Sequence, residues 1–143
     1  MTVGDSFELI SCRLIFSTDQ PIRFPDRAAN TFRGALGYVL PEPLFRPRIE
    51  EGPSGLSDAP RPFVLRAGEL DGLSVGPGCF AISLNLFALD REREFRQAFE
   101  SLSMTGITPA RVRLRIESWQ STHVVIPLRE AEPTSRIRVH FET

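Results

Sequence analysis

Residues 111–117 read Arg-Val-Arg-Leu-Arg-Ile-Glu, so Arg111, Arg113 and Arg115 recur at every second position. On a strand, that spacing places three guanidinium groups on one side about 7 Å apart, near the phosphate spacing of an extended nucleic-acid chain. The chemistry on offer is anion binding. The plain alternative is a solvated outer face, with Glu117 and cross-strand acids as partners. For proton transfer the inventory is short: His123, His140 and the single tyrosine, Tyr38. No Ser-His-Asp order and no metal-ligand spacing accompanies them. Each histidine sits in a partly apolar extended stretch, where a surface or hydrogen-bonded histidine is commoner than a general base.

All 17 basic residues are arginine and lysine is absent. A Schiff-base lysine, a lysine general base and a P-loop lysine are therefore excluded, and every cationic site is a planar guanidinium suited to bidentate phosphate or carboxylate. The formal net charge of -1 supplies no bulk attraction for nucleic acid, so any such binding must come from a local patch. Cys12 and Cys79 lie in apolar strand patterns without a CxxC motif, and read as buried small hydrophobes rather than zinc ligands. Gly34 and Gly37 lack GxGxxG spacing and a preceding strand, so they form no nucleotide loop. Inside a helix they cost about 1 kcal/mol each relative to alanine, which points to close backbone packing or a ligand. No cofactor is implied. With no signal-peptide pattern and no apolar run near 18 residues, a soluble, cytoplasmic protein is expected.

The elements that must position these groups are organised around residues 78–88, where Phe80, Ile82, Leu84 and Leu86 alternate with Cys79, Ala81, Ser83, Asn85 and Phe87. This is a central strand, entered through Gly76-Pro77-Gly78. Residues 7–17 alternate in the same way and form the first strand. Asp26 can cap a helix over 27–40 whose stripe is Ala28, Phe32, Leu36, Val39 and Leu40. Residues 42–60, rich in proline and glycine, predict an irregular excursion. A short strand follows at 61–66, a second helix at 90–103 with Phe95, Ala98, Phe99 and Leu102 inward, and a fourth strand at 111–117. Two further extended pieces are expected at 122–127 and 136–142.

The order strand-helix-strand-strand-helix-strand predicts an α+β fold, a ferredoxin-like βαββαβ sandwich: a four-stranded antiparallel sheet with two helices on one face, plus C-terminal extra strands. The free face of such sheets can stack RNA bases, as in RRM domains. The RRM signature is missing, however, because residues 77–80 carry no basic residue and the third strand holds only Phe80 and Phe87 as aromatics.

Arg33-Gly34-Ala35-Leu36-Gly37 in the first helix, Arg61-Pro62-Phe63-Val64-Leu65 in the second strand and the run from Phe80 to Phe87 in the third follow one another in a particular order and setting. In these features the chain resembles the RAMP-superfamily CRISPR-associated proteins that process precursor CRISPR RNA. Over most of its length the chain is similar to their N-terminal ferredoxin-like domain. The resemblance implies a RAMP domain over 1–120 and an extension over 121–143 that is similar to the opening of a second RAMP domain. Departures are specific. Ala88 and Thr108 stand where relatives often carry glycine, no glycine-rich C-terminal loop is present, and residues 27–48 hold no histidine. Family chemistry is metal-independent attack by an RNA 2′-hydroxyl, which needs a base, an acid and phosphate stabilisation. The resemblance thus implies an RNA-binding domain of an endoribonuclease-like protein, with precursor CRISPR RNA as partner. Tyr38 and His123 are the candidate catalytic residues, and Arg33, Arg111, Arg113 and Arg115 the candidate RNA-binding residues. The alternative is a non-catalytic assembly module of a CRISPR ribonucleoprotein. Its C-terminal strands would pair with a RAMP-type protein or with a second copy as a homodimer.

Overall fold

The computed structural model describes residues 5–48, 60–129, 135, 136 and 138–140. Alternating burial builds a long first strand, β1 (Ser6–Thr18), whose Cys12, Leu14 and Phe16 are fully buried while Arg13 stays exposed. A two-residue strand β2 (Ile22–Arg23) leads to helix α1 (Ala28–Val39), which buries Ala28, Phe32 and Leu36. The short helix α2 (Glu42–Phe45) follows, then β3 (Phe63–Arg66), a 3₁₀ turn at Gly68–Leu70 and β4 (Ser74–Val75). Next come β5 (Gly78–Leu86), helix α3 (Glu92–Thr105) and β6 (Arg115–Pro127).

The main sheet has four strands in the order β3-β5-β1-β6, every pair antiparallel, and β2 and β4 form a separate two-stranded ribbon. With three α-helices among the described residues this is a mixed α+β architecture. Both long helices cover the same sheet face: the Phe16 ring lies 6.2 Å from Phe32 of α1 and 5.8 Å from Phe99 of α3. Phe80, Ile82, Leu84 and Leu86 of β5 complete that core. Burial of a leucine or phenylalanine side chain at such a site contributes about 1.5–3 kcal/mol, so the layer between sheet and helices holds the domain together.

Several expectations need correction. The region expected to be irregular at 42–60 begins with helix α2, which accepts Pro43 in its first turn because a proline there forfeits no helical hydrogen bond. Residues 49–59 of that stretch lie outside the described residues. Helix α1 is not capped by Asp26; the Ala28 N–H donates to Asp71 Oδ1 at 2.7 Å, 43 positions away. Cys79 is exposed rather than buried, at the start of β5.

The largest correction concerns the fourth strand. It does not occupy 111–117, nor does it break before 122. A single strand, β6, pairs with β1 from Arg115 opposite Ser17 to Pro127 opposite Ser6, with one irregularity beside Ile15 and Phe16. The boundary expected at residue 120 falls inside it. Arg111 instead belongs to a tight turn after α3, at φ +53°, and the buried Val112 and Leu114 precede β6, which begins at Arg115. Gly106 ends α3 at φ +79°, and Ile107 and Val112 exchange backbone hydrogen bonds of 2.9 Å in both directions across the turn. The described residues of the expected last strand, Arg136, Arg138, Val139 and His140, belong to no strand; those at 137, 141 and 142 lie outside the described residues. No helix of the described residues is long and apolar enough to cross a membrane.

Candidate anion-binding cleft

β3 is short. It pairs with β5 only from Phe63 opposite Leu86 to Arg66 opposite Ser83, so among the described residues the part of β5 before Ser83 has no strand on that side. The chain instead turns through Gly68–Leu70, and a cleft of about 840 Å³ opens between the end of β3, the flank of β5 and the first turns of α1. Four arginines line it: Arg13 from β1, Arg27 and Arg33 from the start of α1, and Arg66 from the end of β3. Asp26, Glu69 and Asp71 line it as well. The Asp71 carboxylate is occupied by the Ala28 N–H, and Arg33 Nη1 donates to Asn30 Oδ1 at 2.9 Å. Among the described residues none of the four arginines is in an ion pair; the pairs that exist involve Arg91, Arg96, Arg115 and His123. Guanidinium groups that line a concave surface outside ion pairs keep donors available for a phosphate or carboxylate ligand.

Of the arginines expected to bind RNA, only Arg33 lines this cleft. Arg115 lies on β6, the opposite edge strand, where Nη1 and Nη2 reach the two Asp19 carboxylate oxygens at 3.1 and 2.9 Å. Those hydrogen bonds, and then the Asp19 charge, raise its pKa further. Its Nε also approaches Glu117, whose Oε1 accepts a short hydrogen bond from Ser17 Oγ. Arg111 and Arg113 are exposed in and just after the turn, so the three arginines do not form one strand row.

Tyr38 and His123 are not brought together. Tyr38 is 93% exposed near the end of α1, and His123 sits on β6 opposite Ile10 with Nε2 3.0 Å from Glu8 Oε2. Neither lines the cleft. Cys12 is buried, and that burial, with the Glu92 charge second, pushes its thiol up to about 11, so it is no nucleophile at neutral pH. No group of three or more His, Cys, Asp or Glu side chains able to hold a metal ion occurs among the described residues. What the arrangement can do is bind an anion.

Arg13, Arg27 and Arg66 were not singled out from sequence, because each comes from a different segment. The available signal was that Arg13 is the one basic residue inside a largely apolar strand. Compared with known proteins, the chain matches no family model, no curated protein and no solved structure.

Proposed function

We propose that the chain is the RNA-binding domain of a CRISPR RNA-processing, endoribonuclease-like protein of RAMP type. In this proposal its sheet and two covering helices are a ferredoxin-like sandwich, and it works in the cytoplasm. The observation that carries the RNA reading is the cleft itself, with Arg13, Arg27, Arg33 and Arg66 facing one concavity free of ion pairs. RNA phosphates are the ligand that suits several planar guanidinium groups spread over such a surface. A smaller support for the family is Thr108. It sits at φ +70°, a conformation natural to glycine, at a position where RAMP relatives often carry one.

The same geometry argues for binding without cleavage by this chain, since Tyr38 and His123 stand on separate elements away from the arginines. A second reading, an assembly module, is favoured by β6: thirteen residues long, it pairs with β1 on one side and has no strand neighbour on the other among the described residues.

Titration of a labelled single-stranded RNA at several salt concentrations tests the proposal. The wild type is expected to bind with a salt slope near 0.7 per phosphate contacted. Arg13→Ala combined with Arg33→Ala should weaken binding and lower that slope by one to two such steps, whereas Arg115→Ala should change little because Asp19 already holds that side chain. Loss of affinity confined to Arg115→Ala would overturn the cleft as the RNA site.

A further inference from the structure

The sheet face that the helices leave uncovered carries its side chains in rows fixed by strand register. Arg66 stands opposite Ser83, Ser83 opposite Arg13, and Arg13 opposite Gln120, so one polar row with two arginines crosses all four strands. Two residues further along, Asn85, Ser11 and Thr122 make an adjoining row of amide and hydroxyl groups. Beyond that the face becomes apolar. Leu9 stands opposite Val124 and Phe7 opposite Ile126. Phe87, two residues past Asn85, is held by its N–H to Pro62 O at 2.9 Å. Its ring lies 5.6 Å from that of Phe7, and the two side chains remain 37% and 44% exposed.

We infer that this uncovered face is a stacking platform for a short run of single-stranded RNA. Bases lie against Phe7 and Phe87, the middle row meets base edges, and the backbone runs to Arg13 and Arg66 and on into the cleft. The inference rests on the RNA reading above and gives it a path and a polarity of chemistry. Four residue steps separate Phe87 from Ser83 and its flanking arginines, about 14 Å, a distance that a few extended nucleotides cover. Aromatic faces at one end and guanidinium groups at the other are the two components that sequence-tolerant single-strand binding combines. A protein partner without matching acidic groups fits less well, because covering the whole face would desolvate Arg13 and Arg66, neither of which is in an ion pair among the described residues. At the remaining corner Arg115 is held by Asp19, so the phosphate path bends toward β3 rather than β6.

The test uses the full chain and a six-nucleotide oligoadenylate carrying one 2-aminopurine, whose fluorescence falls when the base stacks. A Phe7→Leu, Phe87→Leu double variant keeps apolar area but removes both rings. It should bind at least about fivefold more weakly and lose the quenching, with the salt slope unchanged. Arg13→Ala with Arg66→Ala should lower the salt slope yet leave the quenching of bound oligonucleotide intact. Wild-type affinity and quenching in the leucine variant overturn the platform while leaving the cleft standing. Wild-type self-association in sedimentation that disappears in a Phe7→Ser, Phe87→Ser variant also overturns the platform, since it marks a protein interface. Absence of any wild-type binding at low salt overturns the platform and the RNA reading together.

Discussion

Replacing Gly106 by alanine should be among the most damaging single-atom additions to this chain. Gly106 ends α3 at φ +79° and ψ 168°, a region that essentially only glycine occupies, and holding another residue there costs about 1–3 kcal/mol. The added Cβ would also lie 2.3 Å from the Arg111 carbonyl oxygen and 2.4 Å from its carbonyl carbon. Backbone cannot swing aside as a side chain can, so the turn must open. Opening it strains the two 2.9 Å hydrogen bonds between Ile107 and Val112, each worth about 1 kcal/mol. Together these give a loss of about 3–5 kcal/mol, a large part of the roughly 5–15 kcal/mol that holds a typical domain folded. Urea unfolding followed by circular dichroism would measure it, with the midpoint falling and the slope unchanged. Thr108→Gly is the internal control: Thr108 sits at φ +70°, and relieving it should gain about 0.5–1 kcal/mol after glycine's extra unfolded-state entropy. A Gly106→Ala loss below about 1 kcal/mol would refute the geometry of the turn.

Four other outcomes are expected. Leu84→Ala should destabilise by about 2–5 kcal/mol in the same unfolding assay, because the side chain is wholly enclosed between sheet and helices; a change under half a kilocalorie would mean the opposite pleat of β5 faces the core. In the native protein a thiol reagent at pH 8 should titrate Cys79 alone, with Cys12 reacting only after unfolding. Since the Cys12 thiol is raised in the fold from 9.0 to about 11, the stability it contributes is full below pH 9 and falls as pH rises toward 11, by up to about 3 kcal/mol, a slope that Cys12→Ala should remove. Gly34→Ala should gain up to about 1 kcal/mol, since nothing among the described residues lies within 4 Å of its added Cβ, whereas at Gly37 the Cβ would meet the Phe45 ring at 3.0 Å and the gain should vanish or reverse.

The sheet core and both long helices were legible because their burial is one-sided. β1 and β5 alternate with period two, and α1 and α3 carry stripes of period 3.6, so the observed ends fall within two residues of those expected. β6 was not legible as one strand. Its middle, Glu-Ser-Trp-Gln-Ser-Thr-His over 117–123, is an edge with exposed side chains on both faces, so no alternation marks it. Conversely, the alternation at 111–117 was real in burial but straddled two structures, the turn that ends at Val112 and the first residues of β6 from Arg115. The helical stripe of Phe45 and Leu44 was hidden by surrounding prolines, although Arg61 secures α2 by donating to Phe45 O and lying 4.4 Å from its ring. The cleft was mostly invisible for a different reason. It depends on where β3 stops, and chain termination of a strand against its neighbour leaves no pattern in either segment.

The Asp71 cap on α1 also bears on the order in which the molecule assembles. A helix whose first N–H is satisfied by a carboxylate 43 residues downstream has no local start signal, and its own N-cap, Arg27, contributes no side-chain hydrogen bond. Its first turn is therefore stable only once the segment after β3 has arrived, which ties the beginning of α1 to contacts of long sequence separation and so to a slower stage of folding. Arg27 stands at the head of that turn and Arg33 in the turn that follows. The binding surface is consequently among the last regions to acquire its shape, and native-state hydrogen exchange should find the amides of residues 28–31 opening together with those of 68–72 as one cooperative unit.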